Sequence, residues 1–283
     1  MQFPEVSKAL QEVLSTGLPS DTMAWIQEKI KFVSEQQSTK DLFLTYSLLA
    51  SKVKTNQPLV FKEDNVVHQY LQKQEANAVQ IGRIYFLASL LEKDVAFFSP
   101  KIANIIQVAD TGELETFLKF LVLLPNAADY KLTAVDALRT NIAVIFDAIA
   151  MHNPYPALYF SEKEWNQMYL KATFMERDIT QIQDVEAMAN QDLARIISDY
   201  AHERWAAGRV VFPYFWRPVG PFLEDALLGD MERLLQSENK DNNYAAVLCC
   251  LASEHPKAKA LLEQYKDIQN DVEENKITWE KIK

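Results

Sequence analysis

The chain has 283 residues, 48% of them hydrophobic and 24% charged, with 6 glycines against 11 prolines. That is far below the roughly 7% glycine of ordinary proteins, so a Gly-rich phosphate loop, a dinucleotide fingerprint, a propeller and a hairpin-rich barrel are excluded, each needing glycine where only positive φ or close backbone approach serves. The net charge of −10 opposes non-specific binding to nucleic acid or anionic lipid, and the longest apolar run, Tyr244 to Ala252, is half of what a membrane span needs. The start, Met1-Gln2-Phe3-Pro4-Glu5, has neither the basic nor the apolar region of a signal peptide, which predicts a cytoplasmic protein without direct membrane insertion.

Helix punctuation recurs along the chain. Pro19-Ser20-Asp21 opens an apolar-periodic stretch to about Glu35, and Ser99-Pro100 has the N-cap and N1 order of a helix start. Asp110-Thr111-Gly112-Glu113 fits a capping box before Leu114, Phe117 and Leu118. From Val135 the apolar residues Leu138, Ile142, Ile145 and Ile149 follow at spacings of three and four, which predicts one helical stripe. Two prolines then end the helix from Leu132 at His152-Asn153-Pro154-Tyr155-Pro156. Ser161-Glu162-Lys163-Glu164 is a second capping box, with Phe160 and Trp165 at the hydrophobic-staple positions.

No segment alternates with period two, and no linker or composition shift marks a boundary. The expectation is therefore one all-α domain over residues 1–283, with about thirteen helices as antiparallel pairs. Glu224 to Leu235, Asn243 to Ala252 and Pro256 to Tyr265 read as successive short helices of an irregular HEAT- or ARM-like α-α superhelix. Adjacent Cys249 and Cys250 in a helix read as reduced core residues, since neighbouring helical side chains diverge.

The unusual residues collect between His152 and Phe222, which holds three of five tryptophans and five of eight arginines. Arginine suits bidentate contact with carboxylate or phosphate, so a pocket for a planar or anionic ligand is one reading, and internal ion pairs with helix C-terminal charges are the other. Along Gln191 to Ala207 the stripe Leu193, Ile197, Tyr200 is continued by Arg204, predicting a buried guanidinium in need of a partner. On the next face Arg195, Asp199 and His202 allow an ion pair and a carboxylate-oriented imidazole. HExxH, CxxC, GxSxG and Walker-type GK[ST] motifs are all missing from the sequence, and the four histidines and two cysteines are not spaced for a metal; neither metal nor cofactor is expected.

The same segment resembles the signature of the EboA domain family. The resemblance is carried by His152-Asn153-Pro154-Tyr155-Pro156, Trp165-Asn166-Gln167-Met168 with Leu170-Lys171-Ala172, Ala189-Asn190 before Leu193-Ala194-Arg195, Asp199 to Arg209, and Trp216-Arg217-Pro218-Val219-Gly220-Pro221-Phe222. It covers about 70 residues. Where the family pattern has a Gly-rich turn and an arginine before Ala189-Asn190, this chain has Asp184-Val185-Glu186-Ala187-Met188. The resemblance implies a bacterial cytosolic protein encoded beside a UbiA-like prenyltransferase, a TatD-like hydrolase and sugar-phosphate-processing proteins. It also implies a role in maturing or moving a secondary metabolite across the inner membrane, and it brings no catalytic residue.

Three functions fit. The first is a non-enzymatic adaptor or metabolite-binding protein using a face drawn from His152, Asn153, Tyr155, Trp165, Asn166, Lys171, Arg204, Trp205, Arg209, Trp216 and Arg217. The second is an enzyme or binder acting on an anionic aromatic or isoprenoid intermediate, with His202 as acid or base and Asp199 orienting it. The third is a domain in which these residues only pack.

Overall fold

The structure, a computed structural model, describes residues 3–282, and every regular element among them is helical, with no strand. The described residues form sixteen α-helices in two compact units, Met1–Phe160 and Ser161–Lys283.

The first unit holds α1 (Val6–Gly17), α2 (Ser20–Gln36), α3 (Thr39–Lys52), α4 (Val66–Lys73), α5 (Ala78–Lys93), α6 (Val95–Val108), α7 (Thr111–Phe120), α8 (Lys131–Ala137), α9 (Ala143–Ala150) and α10 (Tyr155–Tyr159). Its centre is α5. Every residue from Ala78 to Leu91 is buried, because α1, α2, α3, α6 and α7 pack around it, the arrangement expected for a helix apolar on all sides. Arg83 is buried on that helix with Glu113 of α7 at 3.6 Å, while its Nε donates to the Tyr46 carbonyl and the Tyr46 hydroxyl donates to the Glu113 carbonyl.

The capping box at Asp110–Glu113 forms as the sequence predicts, the Asp110 carboxylate accepting from the Glu113 N–H and Glu113 accepting from the Asp110 N–H. Two other expectations need correction. The helix assigned to start at Ser99-Pro100 begins at Val95, where Asp94 caps the Phe97 N–H, and Pro100 lies inside it. Pro100 lies in the second turn, where it offers no N–H to the Ala96 carbonyl, and the Lys101 ammonium donates to the Phe97 carbonyl beside it. The stripe from Val135 to Ile149 is two helices rather than one, because Thr140 accepts the Ile142 N–H through its hydroxyl and turns the chain between α8 and α9.

The second unit holds α11 (Glu162–Phe174), α12 (Gln191–Ala206), α13 (Asp225–Leu235), α14 (Lys240–Leu251), α15 (Pro256–Gln264) and α16 (Lys266–Glu274), with single 3-10 turns at Ile179–Gln181, Pro213–Trp216, Gly220–Phe222 and Trp279–Lys281. The Ser161–Glu164 capping box starts α11 as predicted. Helix α14 packs against α13, α15, α16 and the turn at Pro213–Trp216. Gly220 permits that approach: a Cβ there would lie 2.8 Å from both the Cys249 carbonyl oxygen and the Ala252 methyl. Cys249 and Cys250 are buried free thiols, with burial pushing Cys249 far up and Cys250 to about 12.

Candidate functional site

Helices α11 and α12 share one mode of termination. At the end of α11 the Arg177 N–H bonds to the Ala172 carbonyl and the Glu176 N–H to the Thr173 carbonyl, and Glu176 takes a left-handed φ of 54°. At the end of α12 the Arg209 N–H bonds to the Arg204 carbonyl and the Gly208 N–H to the Trp205 carbonyl, with Gly208 at φ 67°. Both are Schellman motifs, and each sends an arginine out of the helix at the same position.

These two helix ends line one cleft of about 580 Å³ in the second unit, closed by the segment from Val210 to Pro213. Arg177, Arg204 and Arg209 line it with a single carboxylate, Glu176, so a chain of net charge −10 concentrates cations here. Its walls include Tyr200, Ile179 and Val211, and three large apolar side chains reach solvent: Phe174 is 78% exposed, Val210 82% and Phe212 36%.

Arg204 is not the buried cation that the helical stripe predicts. It sits in the last turn, where α12 leaves the core, and it satisfies itself with Nε and Nη2 donating to the Val210 carbonyl at 3.2 and 3.0 Å, with Tyr200 beneath it. Its partner is a carbonyl, which carries no formal charge. Arg209 is exposed, and among the described residues its guanidinium makes no hydrogen bond or ion pair.

The remaining residues of the proposed face divide between the two units. In the first unit Asn153 donates to the Leu118 and Ala148 carbonyls and accepts the Tyr155 N–H, while the Tyr155 hydroxyl donates to Ala127; both are buried. His152 takes φ 53° and its carbonyl accepts from Gln74. The two-proline corner is thus tied by its own polar groups into the interior rather than presented as a wall.

In the second unit Trp165, Tyr169 and Phe215 stack in sequence at centroid spacings of 5.3 and 5.6 Å, and Tyr200 meets Phe215 edge-on. Trp165 and Trp216 are wholly buried and are not among the residues that line the cleft. Asn166 and Asn190 exchange amide hydrogen bonds at 3.0 and 2.9 Å, and Asn190 caps α12 by accepting the Leu193 N–H. Lys171 is half-buried on α11. Arg217 is held by Glu186, Glu280 and the Tyr214 hydroxyl, which engage all three of its nitrogens. Trp205 lies between Trp216 on one side and the Arg233 guanidinium, 4.2 Å from its ring centroid. Asp184 adopts a left-handed φ of 57°, and aspartate is one of the few non-glycine side chains that tolerate it.

The imidazole of His202 is oriented by Asp230, not by Asp199. Asp199 is an exposed partner of Arg195 at 3.5 Å, whereas His202 Nε2 donates to Asp230 Oδ1 at 2.5 Å and the Ser198 hydroxyl donates to Oδ2 at 2.5 Å. Asp230 is buried on α13 and both its oxygens are taken from α12, so the trio pins the two helices together. Only the 28-residue separation hid it. His202→Ala is expected to lower stability by about 1.5–3 kcal/mol, as loss of a hydrogen bond to a charged group does, and Asp199→Ala by less than about 0.5 kcal/mol; chemical denaturation measures both.

The second unit thus carries a cleft lined by three arginines and by apolar side chains. The chain belongs to the EboA family: the family model described as metabolite traffic protein EboA matches residues 6–220. No curated protein and no solved structure matches the chain. The family match reaches back to Val6 at the start of α1, well beyond the motif-bearing segment, and includes every residue of the cleft except Asn239.

Proposed function

We propose that this chain is a non-enzymatic metabolite-binding protein of a bacterial secondary-metabolite pathway, assisting a precursor on its way towards the inner membrane and periplasm, and that the cleft between the ends of α11 and α12 holds that metabolite. The observation that carries the reading is the cleft itself: about 580 Å³, within the range of small-molecule sites, with polar cations converging on apolar walls. The family's description as a metabolite traffic protein supports it. The membrane prenyltransferase and the TatD-like hydrolase that the resemblance implies are then the partners between which the metabolite passes, from a cytoplasmic site.

The enzymatic alternative has one specific observation in its favour, the imidazole of His202 oriented by buried Asp230. His202 is not among the residues lining the cleft, so an acid–base role has no bound substrate beside it.

A thermal-shift titration of the full chain with anionic aromatics, prenyl phosphates and sugar phosphates tests the reading. A bound ligand at 100 times its dissociation constant stabilises by about 2.7 kcal/mol, which moves the midpoint by several degrees. The expected result is a shift with one of these classes. No shift with any would overturn metabolite binding and leave an adaptor that docks to its pathway proteins, to be tested by pull-down.

A further inference from the structure

Three features of the cleft belong together. A Schellman motif brings the side chains at its two bonded positions close, and the usual occupants are an apolar pair. In α12 those positions are Arg204 and Arg209, two like charges placed where attraction is the rule. Helix C-terminal carbonyls attract cations, and this accounts for Arg204, whose Nε and Nη2 are spent on the Val210 carbonyl. It does not account for Arg209, which spends nothing on the protein. The second helix end adds Arg177, itself engaged within the protein, at the matching position of its own motif.

The apolar side of the cleft is equally unprovided for. Phe174, the last residue of α11, and Val210, the residue after Arg209, are each about four-fifths exposed beside the guanidinium groups. Isolated exposed apolar residues are ordinary, but these two flank the same opening as three cations. A purely anionic solute would leave Phe174 and Val210 in water, and a purely apolar one would leave the Arg204 and Arg209 charges without a counter-ion.

We infer that the ligand is an anionic amphiphile, a molecule with a terminal phosphate or carboxylate and an apolar body, whose head bridges Arg204 and Arg209 while its body lies against Phe174 and Val210. The inference rests on the proposed metabolite-binding reading and names the ligand's chemical class. Glu176, the sole carboxylate of the cleft, opposes the head and limits its affinity. Both head groups share the chemistry of a bidentate guanidinium acceptor.

Isothermal titration of the full chain with decyl phosphate, decanoate, decanol and inorganic phosphate, each below its micelle-forming concentration, tests this. Decyl phosphate or decanoate is expected to bind at least tenfold more tightly than decanol and than inorganic phosphate, and the stronger of the two identifies the head. Arg209→Gln is expected to weaken that binding about tenfold with decanol unaffected and the thermal midpoint unmoved, since the side chain has no protein partner to lose. Glu176→Gln is expected to tighten it severalfold. Equal affinity for decanol and decyl phosphate, or an Arg209→Gln variant that binds decyl phosphate as the parent does, would overturn the anionic head while leaving the cleft as a metabolite site. Failure of all four probes would overturn the amphiphile class, and the broader thermal-shift panel then decides whether the cleft binds metabolites at all.

Discussion

Replacing Asn190 by alanine is expected to destabilise the second unit by about 2–4 kcal/mol, although the residue touches no ligand. Two losses add. The α12 N-terminus loses the side-chain acceptor for the Leu193 N–H, worth about 1 kcal/mol. The buried Asn166 amide then loses both its donor and its acceptor, and an orphaned buried polar group costs about 1–3 kcal/mol. The pair is coupled, so the Asn166→Ala, Asn190→Ala double variant is expected to cost less than the sum of the singles by at least about 1 kcal/mol. Urea denaturation of the four proteins measures this, and strict additivity would show that the reciprocal amides contribute nothing together. The same cycle explains why an asparagine on α11 and another before α12 belong to one motif: the second starts the helix and the first holds the second in place.

The larger effect belongs to the first unit. Arg83→Ala is expected to cost about 3–5 kcal/mol, because it leaves Glu113 buried without its cation and the Tyr46 carbonyl without its Nε donor. Exposed pairs such as Arg195–Asp199 or Lys8–Glu5 sit at the other end of the scale and contribute little in water. Arg83→Met combined with Glu113→Gln is expected to recover most of the loss, since glutamine can still close the capping box with Asp110 and no charge remains to be desolvated. A double variant no more stable than Arg83→Ala would mean that shape, not charge, is what Arg83 supplies.

The contrast between what was legible in the sequence and what was not follows from the range of each interaction. Capping boxes at Asp110 and Ser161 are read correctly because all their atoms lie within four residues, so local chemistry decides them. Ser99-Pro100 misleads because Asp94, five residues earlier, is also a competent cap, and it wins by starting a helix that carries Phe98, Ile102 and Ile105 into the core. The Val135–Ile149 stripe misleads for the opposite reason: apolar periodicity survives the turn at Thr140, and only the hydroxyl bond to the Ile142 N–H reveals the break. The all-helical class came through because so many segments share the same period and so few glycines interrupt them.

The candidate site was half legible. Its arginines stood out by composition, yet helical spacing can pair a residue only with its own helix. It therefore assigned Asp199 to His202 where Asp230 serves, and it left Arg217 open where Glu186 and Glu280, 31 and 63 positions away, close it. Phe174 and Val210 carried no signal, being ordinary apolar residues whose exposure only the fold decides. The one local clue was Gly208-Arg209 after a helix, the usual sign of a Schellman end; the matching end at Glu176-Arg177 lacks the glycine that would have announced it.

The complete burial of α5 also bears on how the protein is made. On the ribosome, α1 to α3 precede α5 but α6 and α7 follow it, so the newly synthesised helix stays partly uncovered until residue 120 has emerged. At about 5–20 residues per second that interval lasts on the order of 1–5 s, long beside the sub-millisecond times of helix formation and collapse. During it the nascent chain presents the apolar surface of α5 to its surroundings, where it is open to capture by a chaperone.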